Sequence, residues 1–118
     1  MRMRIAGWAG CGAIAIPCNT AHVWYDAMAA EGVPILHIVD AARAELAKSA
    51  TSGTVGVMGT AGTLAMRLYQ DRLDALGYDC IVPDESEMAA KVTPAIAAVK
   101  ANRVADAYAP LAETVRSL

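Results

Sequence analysis

Cys18, Asn19, Thr20 and His22 stand together in AIPCNTAH (residues 15–22), where an apolar run stops and a polar helix start begins. That spacing gathers a thiol, an amide, a hydroxyl and an imidazole within five residues. A thiol at a helix N-terminus meets unpaired backbone N–H groups and shifts toward thiolate, the form that removes protons or attacks electrophiles. Asn19 and Thr20 add donors beside those N–H groups, a seat for a carboxylate. The same residue types also suit a plain helix start, because cysteine is among the most buried residues and Asn and Thr are ordinary caps. His22 is either a proton donor or a helix residue touching the sheet edge. Residue types alone leave both readings open.

A second loop, GTAGT (residues 59–63), sets Gly59 and Gly62 where backbone approaches closely and offers Thr60 and Thr63 as donors at the next helix start. It resembles an anion cradle. No Gly-Lys-Ser/Thr follows and the G-x-G-x-x-G pattern is incomplete, so it is not a nucleotide loop, and a simply capped helix fits equally well. Cys11 and Cys80 lie in apolar stretches and read as packing residues. Three cysteines without C-x-x-C spacing or a His pair support neither a disulfide framework nor a zinc site, and point to a reducing, cytoplasmic compartment.

Short apolar runs positioned between helical stretches must carry these loops. AIAI (13–16), ILHIV (35–39), TVGVM (54–58) and DCIV (79–82) read as strands, each ending at a turn or cap residue. AHVWYDAMAAEG reads as a helix stopped at Gly32, with Asp40 as the cap of the next helix, AARAELAKSA. LAMRLYQDRLDALG reads as one helix ending at Gly77, with Ala65, Tyr69, Leu73 and Leu76 on its apolar stripe. Beyond Pro83 the pattern is helical, with Val92, Ile96 and Val99 on one face and Leu111, Val115 and Leu118 continuing after Pro110. Strands alternating with helices predict an α/β fold built on a parallel sheet flanked by helices. AIAIPCNTA and VGVMGTAGT echo each other, each a buried strand entering a Thr-bearing helix start.

A hydrophobic fraction of 56% without a single Phe suits close helix-on-sheet packing better than an aromatic-rich sandwich. The net charge of −2 leaves no basic field for nucleic acid or anionic membrane, so small molecules or other proteins remain as partners. MRMRIAGWAGC imitates a signal peptide, but only six residues separate Arg4 from Cys11, two of them Gly. A signal core takes roughly 7 to 15 apolar residues. The longest uncharged run is interrupted by Pro17, Asn19 and Thr20, short of the ~18 apolar residues of a membrane span.

IPCNTAH, VPILHIVDAA, VGVMGTAGTLAMRLYQDRLDALGYDCIVPDE and AIAAVKAN occur in that order over nearly the whole chain. Together they resemble the aspartate/glutamate racemase family of cofactor-independent amino-acid racemases, and the His after CNTA is similar to its aspartate/glutamate branch. The resemblance implies two cysteines on opposite faces of a substrate α-carbon, Cys18 matching the first. It implies carboxylate ligands at Asn19, Thr20 and Thr63, with Lys100 meeting the side-chain carboxylate of acidic substrates. Thr60 and His22 are further candidates. It also implies two similar α/β domains with the site between them, a dimer, no metal and no pyridoxal phosphate.

The departures carry their own expectation. Family members begin with a strand and Gly-rich loop upstream of PCNT and place the second cysteine in a downstream GCTE-like strand end; Cys11 and Cys80 lack that context. Residues 1–12 read as the end of a helix entering the AIAIP strand. The chain thus reads as a central portion, residues 1–39 closing one α/β half and 40–118 opening the second. The expected function is an aspartate/glutamate-type racemase acting on an amino acid or dicarboxylate. The rivals are a related maleate isomerase or arylmalonate decarboxylase type of enzyme, and a catalytically incomplete carboxylate-binding fragment.

Overall fold

The computed structural model describes residues 11–49 and 53–118. Of the helix end expected over residues 1–12, residues 1–10 lie outside the described residues, and Cys11 and Gly12 are not helical. Two parallel strand pairs organise the rest. β1 (Ile14–Ala15) pairs with β2 (Ile35–Leu36), and β3 (Thr54–Gly56) pairs with β4 (Asp79–Ile81). Ile14 opposes Ile35 in the first pair, and Val55 opposes Cys80 in the second. The fold is α/β, with parallel strands flanked by helices.

Each pair is a strand, a helical crossover and a parallel strand, the arrangement that parallel pairing requires. The first crossover holds a 3-10 helix (Thr20–Trp24) running into α1 (Tyr25–Ala29); the second holds α3 (Ala61–Ala65) and α4 (Leu68–Asp74). Between the pairs runs α2 (Ile38–Lys48), which spans residues 39 and 40. It packs against α4, with Arg72 Nη1 3.3 Å from Asp40 Oδ1. Val39 and Leu73 are fully buried there.

Two local expectations change. The run ILHIV does not continue as strand, because the His37 side chain accepts a hydrogen bond from Val39 N–H and starts α2; Asp40, the expected cap, sits inside the first turn. The helix expected over LAMRLYQDRLDALG is broken into α3 and α4 by Arg67, whose φ of 52° is left-handed. Its guanidinium then reaches forward to Asp71 at 2.8 Å and Asp74 at 3.3 Å. The helical pattern read past Pro83 does continue through Pro110 in α7 (Val104–Ser117), where Ala107 and Thr114 bury on either side of it and the Thr114 hydroxyl donates to the Pro110 carbonyl at 3.0 Å.

Past β4, α5 (Glu85–Glu87), a π-helical turn (Met88–Val92) and α6 (Thr93–Lys100) follow without interruption and pack against α7. Val92 is buried as expected, but Val99 is 47% exposed, and Ala95, Ala98 and Ala107 form the contact with Leu111 against it. Small side chains let the two helices approach closely, so the apolar stripe turns toward alanine rather than valine. Asn102 closes α6 with a φ of 60°, its N–H on the Val99 carbonyl and Arg103 N–H on that of Ala98.

Gly77 closes α4 in the same way at a φ of 87°, with Gly77 N–H on the Asp74 carbonyl and Tyr78 N–H on that of Leu73. A Cβ at Gly77 meets nothing within 4 Å, so the cost of adding one is conformational alone. Gly77→Ala is expected to destabilise the fold by about 1 to 2 kcal/mol, the left-handed penalty of a residue with a Cβ. Gly53→Ala, equally open but without positive φ, should be neutral or slightly stabilising. Equal denaturant midpoints for the two variants would contradict this assignment.

Candidate active site

β1 ends at Ala15, and the chain turns at once: Cys18 N–H donates to the Ile16 carbonyl at 2.8 Å. The 3-10 helix starting at Thr20 therefore begins beneath an exposed Cys18 thiol. Sγ lies 3.6 Å from Thr20 Oγ1. That hydroxyl holds the thiol below its ordinary pKa, helped by the N–H groups of Ala21 and Thr20 and opposed by slight desolvation. The helical segment is short, so these local donors rather than a long helix dipole account for the shift. Cys80 shows the opposite environment on β4, where burial first and the nearby Asp74 next push its thiol up.

His22 fixes the loop from below. Its ring is buried, with Nδ1 2.8 Å from the Cys18 carbonyl and Nε2 accepting from Ile38 N–H at 3.1 Å. Accepting at Nε2 requires a lone pair there, so the ring proton sits on Nδ1 and is donated to Cys18 O. Both nitrogens thus serve the backbone, and His22 acts as a clamp between the thiol loop and the start of α2. His37 and Tyr25 pack edge-on nearby, their centroids 4.6 Å apart, and Tyr25 OH donates to the Ile35 carbonyl at 3.2 Å. The Arg72 guanidinium lies 5.5 Å above the Tyr25 ring. Burial, then the Arg72 charge, lower the His37 pKa, opposed by the Asp40 and Asp26 carboxylates.

Asn19 precedes the helix without capping it. Its Oδ1 instead accepts from Tyr69 OH at 3.0 Å, across 50 residues of sequence. The second loop behaves differently. Thr60 is a true cap, accepting from Thr63 N–H at 3.1 Å and donating to Thr63 Oγ1 at 3.0 Å, and Thr63 is buried. Tyr69 of α4 thereby joins the second strand-helix-strand unit to the Cys18 loop. Lys100 is exposed at the end of α6, and among the described residues no hydrogen bond or ion pair joins it to the Cys18 loop. No cluster of three or more His, Cys, Asp or Glu among the described residues could hold a metal ion. None of their helices is long and apolar enough to cross a membrane.

Residues 3–118 match the Asp/Glu/Hydantoin racemase family. The chain belongs to that family. Among solved structures it is similar to an aspartate racemase homologue from Pyrococcus horikoshii OT3, 32% identical over 68% of this chain and 35% of that one, with a TM-score of 0.61. It is also similar to an aspartate racemase of Picrophilus torridus, 23% identical over 92% of this chain and 45% of that one, with a TM-score of 0.72. The second likeness speaks to the fold alone. The chain spans less than half the length of either neighbour. No curated protein matches it.

Tyr69, His37 and Arg72 were not visible as site residues in the sequence of this racemase-family chain, since each acts on a group remote in sequence or on the backbone. Two measurements test the geometry. Iodoacetamide should label Cys18 at lower pH than Cys80 in the folded protein, and Thr20→Val should move the Cys18 profile upward. Coincident profiles would contradict the lowered Cys18 thiol. For His37, the folded value is depressed, so below the usual imidazole value of about 6.5 the unfolded chain binds a proton that the folded chain resists. Its contribution is therefore complete above about pH 6.5 and lost as pH falls through the interval down to the folded value, at no more than about 1.4 kcal/mol per pH unit. His37→Asn, which keeps a capping acceptor, should flatten that part of the stability curve in urea melts between pH 7.5 and 5.5, values chosen to bracket about 6.5.

Proposed function

We propose that this chain carries half of the acid/base apparatus of a cofactor-independent amino-acid racemase of the aspartate/glutamate type. The observation that carries this reading is the exposed Cys18 thiol, held below its ordinary pKa by the donors of its own loop. A thiolate there can take the α-proton of an amino acid, leaving a carbanion whose charge spreads into the α-carboxylate. Asn19 and Thr63 would hold that carboxylate, where donors aimed at developing charge do most for the rate. The Thr20 hydroxyl has a single proton, so it would donate either to the thiolate or to the carboxylate, in turn.

Lys100 is assigned to the side-chain carboxylate of an acidic substrate, on the strength of the AVKAN resemblance. Inversion needs a second acid on the opposite face of the α-carbon. Among the described residues neither Cys11 nor Cys80 bonds to the Cys18 loop, and the raised Cys80 thiol is poorly suited to that role. The reading therefore includes a division into two α/β halves, residues 1–39 and 40–118, a site between halves, and dimeric assembly in the cytoplasm.

In D2O, NMR should detect deuterium entering the α-position of aspartate or glutamate, and Cys18→Ser should abolish it with the melt intact, because a serine hydroxyl supplies almost no anion near neutral pH. Lys100→Ala should weaken aspartate and glutamate by about tenfold, the scale of a hydrogen bond to a charged group, and leave alanine unchanged. Binding of these amino acids without exchange at any α-carbon would instead support a carboxylate-binding module. Turnover of maleate or arylmalonate would support the related enzyme types.

A further inference from the structure

We propose that Tyr69 is a positioning residue that fixes which end of the Asn19 amide faces a bound carboxylate. The inference rests on the carboxylate reading of Asn19 given above and assigns it a control element from a different part of the chain. An asparagine has two chemically opposite ends, an acceptor oxygen and a donor NH2 group. Only the donor end attracts a carboxylate. Left to itself the amide can rotate, and half of that freedom presents an oxygen to the anion.

Here Oδ1 is occupied by the Tyr69 hydroxyl at 3.0 Å, so the NH2 group is turned away from Tyr69 and left as the donating end. Asn19 is released for this task because it is not engaged as a helix cap. The phenol is an effective lock for two reasons. Its half-buried position demands a partner for the hydroxyl, and burial also raises its pKa, which keeps the proton in place. The same group as an anion would repel the carboxylate and lose the bond.

The delivery of that hydroxyl is rigid. Tyr69 is the second residue of α4, two positions after the left-handed Arg67 at which the chain changes direction. Arg67 is tied forward to Asp71 and Asp74 on α4 itself. Gln70 is buried and donates through Nε2 to the Leu64 carbonyl of α3 at 3.2 Å, while Leu73 is 1% exposed. Tyr69 therefore cannot follow Asn19 without moving packed neighbours; the asparagine must orient to the tyrosine.

The test is a double-mutant cycle read by calorimetric titration with L-aspartate and L-glutamate. Tyr69→Phe should weaken binding about fivefold, the equivalent of one ordinary hydrogen bond, with the thermal melt close to wild type. Asn19→Ala should weaken it further, and adding Tyr69→Phe to Asn19→Ala should change nothing more. Losses that multiply, or a Tyr69→Phe protein that binds like wild type, would overturn the proposal while leaving the carboxylate reading standing. Asn19→Asp supplies a check independent of removing the phenol: it keeps an acceptor for Tyr69 and deletes the NH2 donor, so it should melt normally and lose at least tenfold in affinity. Retained affinity in Asn19→Asp would overturn the proposal. A wild-type protein that binds neither amino acid would remove the carboxylate reading itself and the role of Tyr69 with it.

Discussion

The His22 imidazole is the contact on which the rest of the site depends. It donates from Nδ1 to the Cys18 carbonyl and accepts at Nε2 from Ile38 N–H, so one ring satisfies an acceptor on the thiol loop and a donor at the start of α2. Each such bond adds only about 0.5 to 1.5 kcal/mol net, but leaving either backbone group buried without a partner costs about 1 to 3 kcal/mol. The asymmetry makes the ring hard to replace. A protonated imidazole could not accept from Ile38 N–H, so the loop geometry belongs to the neutral ring. Its neighbour His37 caps α2 through its own Nδ1, and the two rings lie 4.8 Å apart at a steep angle. The start of α2 is consequently built from two histidines rather than from the aspartate nearby.

The two strand-helix-strand units meet the same requirement by different means. After β3, Thr60 caps its own helix and passes its hydroxyl hydrogen to Thr63, a closed local arrangement. After β1, no side chain caps the helix; Asn19 is held from α4 and the Thr20 hydroxyl stands beside the Cys18 sulfur. The Asn19 side chain of the first unit is thus kept from capping its own helix. That difference distinguishes the two loops more clearly than residue types do, since Asn and Thr cap helices readily when free to do so.

What the sequence revealed follows the range of the forces involved. Cys18 and its donors are neighbours in the chain, so their chemistry was legible in AIPCNTAH, and glycine at positions 32 and 77 marked helix ends because a positive φ suits no other residue so well. Arg67 adopts the same left-handed region with no such mark, and the single helix expected there became two. ILHIV looked like a strand because its apolar residues are continuous, while the imidazole that ends the strand acts by an accepted hydrogen bond that periodicity does not register. The alanine contact between α6 and α7 leaves little mark for a third reason, since apolar bulk is the usual signal of burial and close approach rewards its absence. Tyr69 and Asn19, 50 residues apart, leave no local trace at all.

The donors that acidify the Cys18 thiol also make its thiolate a weaker base, and this constrains the proposed reaction. An amino-acid α-proton is far less acidic than any thiol, so transfer to Cys18 is uphill unless the product carbanion is stabilised at the same moment. Lowering the thiol pKa raises the fraction of thiolate but widens that gap, and the two effects partly cancel. The greater share of the barrier must then fall on whatever holds the α-carboxylate as it takes up charge. Donors oriented in advance do this without reorganising during the reaction. In the proposed reaction those donors would come from the Cys18 loop and the Thr60 loop, and the Tyr69 hydroxyl of α4 bonds to Asn19 of the first. Carboxylate orientation, rather than thiol reactivity, is accordingly where the proposed chemistry asks most of the fold.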